Sequence, residues 1–254
     1  MHLGHVVNAI YVWGFARACG GGSGGGTVLL RIEDHDRIRC RPEFEAALLE
    51  DLDWLGFVPD AGRDPLLRQS DEPGAYEAAL ATLAERHHVY ACRCSRKDLA
   101  GAPYDGRCRD LGLPWEIRRP EGLRLPTGHG LRVAMPEGED LLIRDRDGLW
   151  TYQFSVVVDD LRQDITHVIR GDDLHESTPR QTTLGAMLGR TEPAVFIHHP
   201  LILTPSGEKL SKSAGDSGIR ELRAAGLSPA DVIGRAAAAI GLNTLRPPWS
   251  PESP

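Results

Sequence analysis

At 254 residues, with 41% hydrophobic and 26% charged side chains, the chain can bury a substantial core, as one large domain or as a core carrying a smaller insertion. No apolar run is long enough to span a bilayer, and no basic segment leads into an apolar one near the start, so the reading is a soluble cytoplasmic protein with no membrane partner. The net charge of -7 excludes bulk attraction to nucleic acid but leaves room for a local basic face.

Residues 5–18 predict a helix with Val6, Ala9, Ile10 and Trp13 at helical spacing, closed by CGGGSGGG at 19–26. That glycine run is not a phosphate-binding P-loop, because no Gly-Lys-Ser/Thr follows it and it precedes a strand instead of following one. TVLLRIED at 27–34 predicts a buried strand, and RPEFEAALLEDLDWLGF an amphipathic helix with Pro42 in its first turn and Gly56 near its end. This order implies an α/β core. From about residue 90, YACRCSRKDLAGAPYDGRCRDLGLP loses periodicity and gathers turn formers and metal-ligand types. GLRVAMPEGEDLLIRDRDGLWTYQFSVVVDD then alternates as antiparallel strands do, and the whole middle block reads as an insertion. DITHVIRGDDL predicts a strand entering a polar loop, PRQTTLGAMLG a helix opened by Pro179, and VFIHHPLIL a strand leading to the loop TPSGEKLSKSAG. The proline-rich LRPPWSPESP predicts a frayed tail. There is no internal repeat.

Two stretches carry chemistry. In His2-Leu3-Gly4-His5, two imidazoles three apart share one side of a helix start, beside free backbone N–H groups and the positive end of the dipole, where phosphate binds. Gly4 removes a side chain and allows close approach to the backbone. KLSKS at 209–213 places two lysines on a glycine-flanked loop that could close on a polyphosphate. Taken singly, the first also reads as a histidine pair without a role, and the second as a solvated surface loop.

Together the two stretches resemble the HIGH and KMSKS signatures of the class I aminoacyl-tRNA synthetases. LLRIEDHDRIR, YQFSVVVDDLRQDITHVIRGDDLHESTPRQ and HHPLILTPSGEKLSKS are similar to the glutamyl and glutaminyl branch, and the likeness covers nearly the whole chain. About forty residues follow Lys212, too few for an anticodon-binding domain of typical size. A short relative with a cysteine-rich insertion resembles the glutamyl-Q tRNA(Asp) synthetase family. The resemblance implies a Rossmann-like parallel sheet with an inserted small zinc-bearing α+β domain. It divides the chain into core at 1–86 and 159–203, insertion at 87–158, and clamp loop with short helical region at 204–254. It implies activation of L-glutamate by ATP with Mg, and transfer to the queuosine base of tRNA(Asp) by a monomer.

For the site, the resemblance implies that Glu33 binds the α-amino group and that Tyr152 and Arg170 line the glutamate pocket, Arg170 offering a fork to the side-chain carboxylate. His2, Gly4, His5, Lys209 and Lys212 would serve ATP, with His2, His5 and Lys212 as the catalytic set. Arg170 as a structural ion-pair partner stays open. Cys92, Cys94 and Cys108 with Tyr104 are right in number for tetrahedral zinc, the phenol matching the family's C-x-C…Y-x3-C pattern. Three reduced free cysteines, or iron in place of zinc, stay open. His35, His87, His88, His129, His175, His198 and His199 have no metal spacing and read as surface or core histidines. The family's HIGH segment follows a strand and turn, roughly Arg-Phe-Ala-Pro-Ser-Pro-Thr-Gly, not found in this sequence. The chain as given is therefore expected to lack the first sheet strand and to be less stable than one carrying an upstream extension. Two rivals follow: a truncated glutamyl-tRNA synthetase charging a tRNA 3′ end, and an inactive paralogue that only binds tRNA or glutamate.

Overall fold

A computed structural model describes residues 1–19, 25–35, 40–118, 122–203 and 218–242. Helix α1 (Leu3–Ala18) is buried along Val6, Val7, Ala9, Ile10 and Trp13, and the Trp13 indole N–H donates to the Val58 carbonyl at 2.8 Å. Val28 is buried, and a two-residue strand, β1 (Arg31–Ile32), follows it. Helix α2 (Pro42–Leu55) opens on Pro42, whose missing N–H is no loss in a first turn, and closes on Gly56 in the left-handed region at φ 77°. Strand β2 (Leu67–Arg68) pairs in parallel with β1, and α3 (Pro73–Arg86) follows.

The strand expected over 27–34 is thus shorter than the sequence pattern implies. Its first part meets a turn through a single parallel bridge, Leu29 to Ala61, in place of a continuous ladder: the N–H groups of Asp60 and Ala61 donate to the Val28 carbonyl, and the Leu30 N–H to the Ala61 carbonyl. Gly62 makes this turn possible. Its φ is +80°, and a β-carbon there would stand 2.1 Å from the Leu30 carbonyl oxygen.

The middle block begins with β3 (Val89–Cys92) and a single helical turn, α4 (Arg96–Leu99), followed by β4 (Glu116–Arg118) and β5 (Gly122–Arg124), which pair as a hairpin. Strands β6 (Gly130–Val133) and β7 (Leu141–Arg144) complete an antiparallel sheet in the order β3-β6-β7. The TYQFSVVVDD end of the expected strand pattern is instead helix α5 (Tyr152–Arg162), which also runs through residue 158. Val156, Val157 and Val158 favour a strand locally. All three are buried, with Phe154, against Tyr76, Leu80 and Leu83 of α3 and Leu184 further on, and tertiary packing overrides the propensity.

Strand β8 (His167–Gly171) leads through a 3-10 stretch into α6 (Thr178–Met187), with Pro179 in its first turn, and β9 (Val195–His199) pairs in parallel with β8. Helices α7 (Ile219–Ala224) and α8 (Pro229–Ala239) return to the first half, where Val232, Ile233 and Ala236 share a core with Val6, Ile10 and Leu55. The clamp-loop and tail expectations at 204–217 and 243–254 lie outside the described residues. No described helix is long and apolar enough to cross a membrane.

Candidate active site

Between the two parallel ladders lies an open cleft of about 840 Å³, roofed by α1 and floored by α5. One wall is the chain leading into β1 and the other is β8; the Asn8 side-chain amide donates to the Ile169 carbonyl at 3.0 Å and fixes α1 over the second wall. Glu33, Tyr152 and Arg170, far apart in sequence, all line this cleft.

Glu33 stands beside a guanidinium hub. Arg31 donates to Glu33 Oε1 at 3.1 Å, to Asp160 Oδ1 at 3.0 Å and to Gln163 Oε1 at 2.7 Å, with Asp159 Oδ2 3.8 Å from its Nε. Asp159 is itself held by the Gln69 amide and the Tyr76 hydroxyl, each at 2.9 Å. Burial pushes the Asp160 carboxyl above its ordinary value, against the pull of Arg31, and Glu33 and Asp159 add to the push. The Glu33 side chain stays 39% exposed, so its carboxylate is open to a cation in the cleft. Burial, then the nearby Glu33 charge, raises the Tyr152 phenol, which stays a neutral hydroxyl able to donate.

Arg170, only 6% exposed, is held from several sides. Its Nε donates to His198 Nε2 at 3.3 Å, Nη1 to Gln181 Oε1 at 2.6 Å, and Nη2 to the Leu174 carbonyl at 3.2 Å and Thr178 Oγ1 at 2.8 Å. Four of five N–H groups therefore go to these partners, and the Tyr152 hydroxyl also meets the same guanidinium. The full fork expected for a ligand is thereby narrowed. Because His198 Nε2 accepts from Arg170, the imidazole is neutral, and burial, with Arg170 next, holds its pKa below the ordinary value.

At the start of α1 the two imidazoles cap the helix. The Gly4 N–H donates to His2 Nδ1 at 3.1 Å, the His2 N–H donates to His5 Nδ1 at 3.2 Å, and the ring centroids are 3.8 Å apart. Both Nδ1 atoms accept, so each neutral ring carries its proton on Nε2, a donor suited to phosphate. Gly4 serves this cap directly, since a β-carbon would stand 2.9 Å from His2 Cε1. Lys209 and Lys212 lie outside the described residues.

In the middle block, the sulfurs of Cys92, Cys94 and Cys108 all lie within 4.8 Å of one another, with Cys94 and Cys108 3.5 Å apart. Zinc–sulfur bonds of about 2.3 Å imply sulfur–sulfur edges near 3.8 Å in a tetrahedron, so the cluster fits that ion. Burial, together with the neighbouring thiols, pushes the Cys94 thiol up to about 12. The Tyr104 hydroxyl accepts the Cys108 N–H at 2.9 Å, and the Arg132 guanidinium lies 3.8 Å from its ring centroid. This places the phenol beside the thiols.

With this geometry, comparison with known proteins is decisive. The family described as tRNA synthetases class I (E and Q), catalytic domain, matches residues 1–106 and 131–234. A glutamyl-Q tRNA(Asp) synthetase of Synechococcus sp. is 42% identical over 95% of this chain and 80% of its own length; one of Rhodobacter capsulatus is 40% identical over 91% and 94%. The chain belongs to the glutamyl-Q tRNA(Asp) synthetase family of class I tRNA synthetases. A crystal structure of a glutamate tRNA ligase from Elizabethkingia meningosepticum in complex with its amino acid superposes with a TM-score of 0.70 at 25% identity, over 93% of this chain and 58% of that one. The family match breaks at 107–130, the stretch that carries Cys108 and the β4–β5 hairpin. Membership brings the class I fold and its parallel ladders together with the cleft described above.

Sequence reasoning missed Arg31, Asp160, Gln181 and His198. Arg31 stands two residues before Glu33 in RIED, and a lone arginine on a short apolar strand signals a buried partner. His198 was grouped with core or surface histidines, and nothing local distinguishes it. Gln181 gives no signal at all in PRQTT.

Proposed function

We propose that this chain activates L-glutamate with ATP and transfers the glutamyl group to the queuosine base of tRNA(Asp). The observation that carries the reading is the single cleft joining an accessible carboxylate, Glu33, to a buried cation, Arg170, with Tyr152 between their fields. Glu33 takes the α-ammonium, while Arg170 and the Tyr152 hydroxyl take the side-chain carboxylate. That leaves the α-carboxylate to attack the α-phosphorus of ATP; the bond to the β-phosphate breaks and pyrophosphate leaves. The α1 terminus, with His2, Gly4 and His5, meets the phosphates, and Lys209 and Lys212 neutralise charge on the leaving group, with Mg accompanying ATP. Alignment and charge stabilisation suffice for this step, with no dedicated general base. The acyl group then moves to the base and AMP is released.

Cys92, Cys94, Cys108 and Tyr104 would hold a zinc ion with all four positions filled by protein, which supplies structure and no catalysis. The protein works as a cytoplasmic monomer.

Glutamate-dependent exchange of pyrophosphate into ATP, without tRNA, tests the activation step. Robust exchange is the expected result, and its absence in folded protein favours the binding-only paralogue. Replacing Glu33 by Gln should raise the KM for glutamate in this assay about ten- to a hundredfold, the cost of one charge-assisted contact, while the thermal midpoint stays near that of the parent because the side chain is half-exposed. An unchanged KM would remove Glu33 from the ammonium subsite.

A further inference from the structure

Gln181 on α6 is 3% exposed and lines the cleft, yet half of its amide lacks a partner. The orientation of that amide is decided by its neighbour: Arg170 can only donate, so the atom 2.6 Å from Nη1 is the Gln181 oxygen. The two N–H groups on Nε2 then face elsewhere, buried and with no hydrogen-bond partner. Buried amide donors are rarely left so. Next to them, across one hydrogen bond, is the Arg170 guanidinium, which among the described residues gives four N–H groups to His198, Leu174, Thr178 and Gln181 and also meets the Tyr152 hydroxyl. The unpartnered Nε2 and the adjacent guanidinium together match the two oxygens of a carboxylate.

We infer that Gln181 is a specificity-determining residue: its Nε2 donates to the side-chain carboxylate of the amino acid beside Arg170, and selects glutamate over glutamine. This rests on the proposed activation of glutamate in this cleft. A carboxylate presents acceptors to both donors, whereas a carboxamide turned either way presents at least one N–H to a donor and leaves a buried group unpaired. Gln181 also walls a smaller cavity of about 190 Å³ on its far side, lined by Arg190, Thr182 and Phe196. Water held there is the competing partner for Nε2.

The test compares the parent protein with Gln181→Glu and Gln181→Met in pyrophosphate exchange driven by glutamate or by glutamine. Gln181→Glu keeps the acceptor for Arg170 and removes the donors. It should raise the KM for glutamate about ten- to a hundredfold and improve glutamine relative to glutamate, because a carboxamide N–H now meets an acceptor. Gln181→Met removes both functions and should weaken glutamate without gaining glutamine. If both variants keep the parent's KM and its glutamate-to-glutamine ratio, the assignment is overturned and Nε2 belongs to the far cavity. Equal losses for both amino acids in both variants would make Gln181 a support for Arg170 and would also overturn it. Exchange is read beside the shift that glutamate produces in the thermal midpoint. A parent protein with neither exchange nor shift contradicts the activation reading itself, a result distinct from variants failing against an active parent.

Discussion

Arg170→Met is expected to lower kcat/KM for glutamate activation about a thousandfold. Removing one partner from a buried charge pair costs about 2–5 kcal/mol, and each 1.4 kcal/mol is tenfold. The same change strands Gln181 Oε1, the Leu174 carbonyl and Thr178 Oγ1 inside the protein, each at about 1–3 kcal/mol if left unpaired. A lowered thermal midpoint should therefore accompany the kinetic loss. Arg170→Lys separates the two effects: the ammonium restores charge but cannot reach three separated acceptors in the plane of a guanidinium, so activity should stay depressed. Full activity with lysine would show that charge alone is needed. Arg170 would then be the structural ion-pair partner that the sequence left open only if activity also survived in the methionine variant.

The second large effect concerns the cysteine cluster. Tyr90, Cys92, Tyr104 and Cys108 form a separate small core of their own, too few apolar groups to hold the surrounding loops. With zinc bound by the proposed ligands, the ion supplies most of that lobe's stability, and structural zinc sites contribute about 10 kcal/mol of apparent folding free energy at neutral pH. Cys108→Ser should take bound zinc from about one ion per chain to nearly none, and open residues 93–111 to hydrogen exchange and proteolysis. Chelation of the parent protein should reproduce the exposure. Retention of the metal by Cys108→Ser, or an unchanged exchange pattern after the metal is lost, would contradict a structural site.

Much of the frame is legible in the sequence because local signals and tertiary demand agree. Val6, Ala9, Ile10 and Trp13 mark the buried face of α1; Pro42 and Gly56 bracket α2, and Pro179 opens α6. The exception is instructive. Val156, Val157 and Val158 spell a strand, but they sit in a helix buried against α3 and α6, and only the assembled core decides between the two. The site divides the same way. Glu33, Tyr152, Arg170, the HLGH segment and the three cysteines are visible through motif and spacing. The hub around Arg31 is not, since Asp160 stands 129 residues away and no local pattern announces the pairing. Gln181 and His198 likewise acquire meaning only through the guanidinium they surround.

That guanidinium also orders the cleft. Arg31 gathers the carboxylates at one end and Arg170 gathers neutral acceptors at the other, so the two cations are differently satisfied. Arg31 is matched by charge, with Glu33, Asp159 and Asp160 around it, although its Nε has no hydrogen-bond partner among the described residues. Arg170 lacks a counter-charge among its hydrogen-bond partners, and a ligand carboxylate provides one. The polarity of the cleft thus fits an amino acid with a second carboxylate.

The most direct measurement is transfer of labelled glutamate to purified tRNA(Asp), with ATP, comparing tRNA that carries queuosine with tRNA that lacks it. Label on the queuosine-bearing tRNA alone is the predicted result. Equal label on both, or label on the 3′ end of a glutamate tRNA, would contradict the account and establish the chain as a conventional charging enzyme.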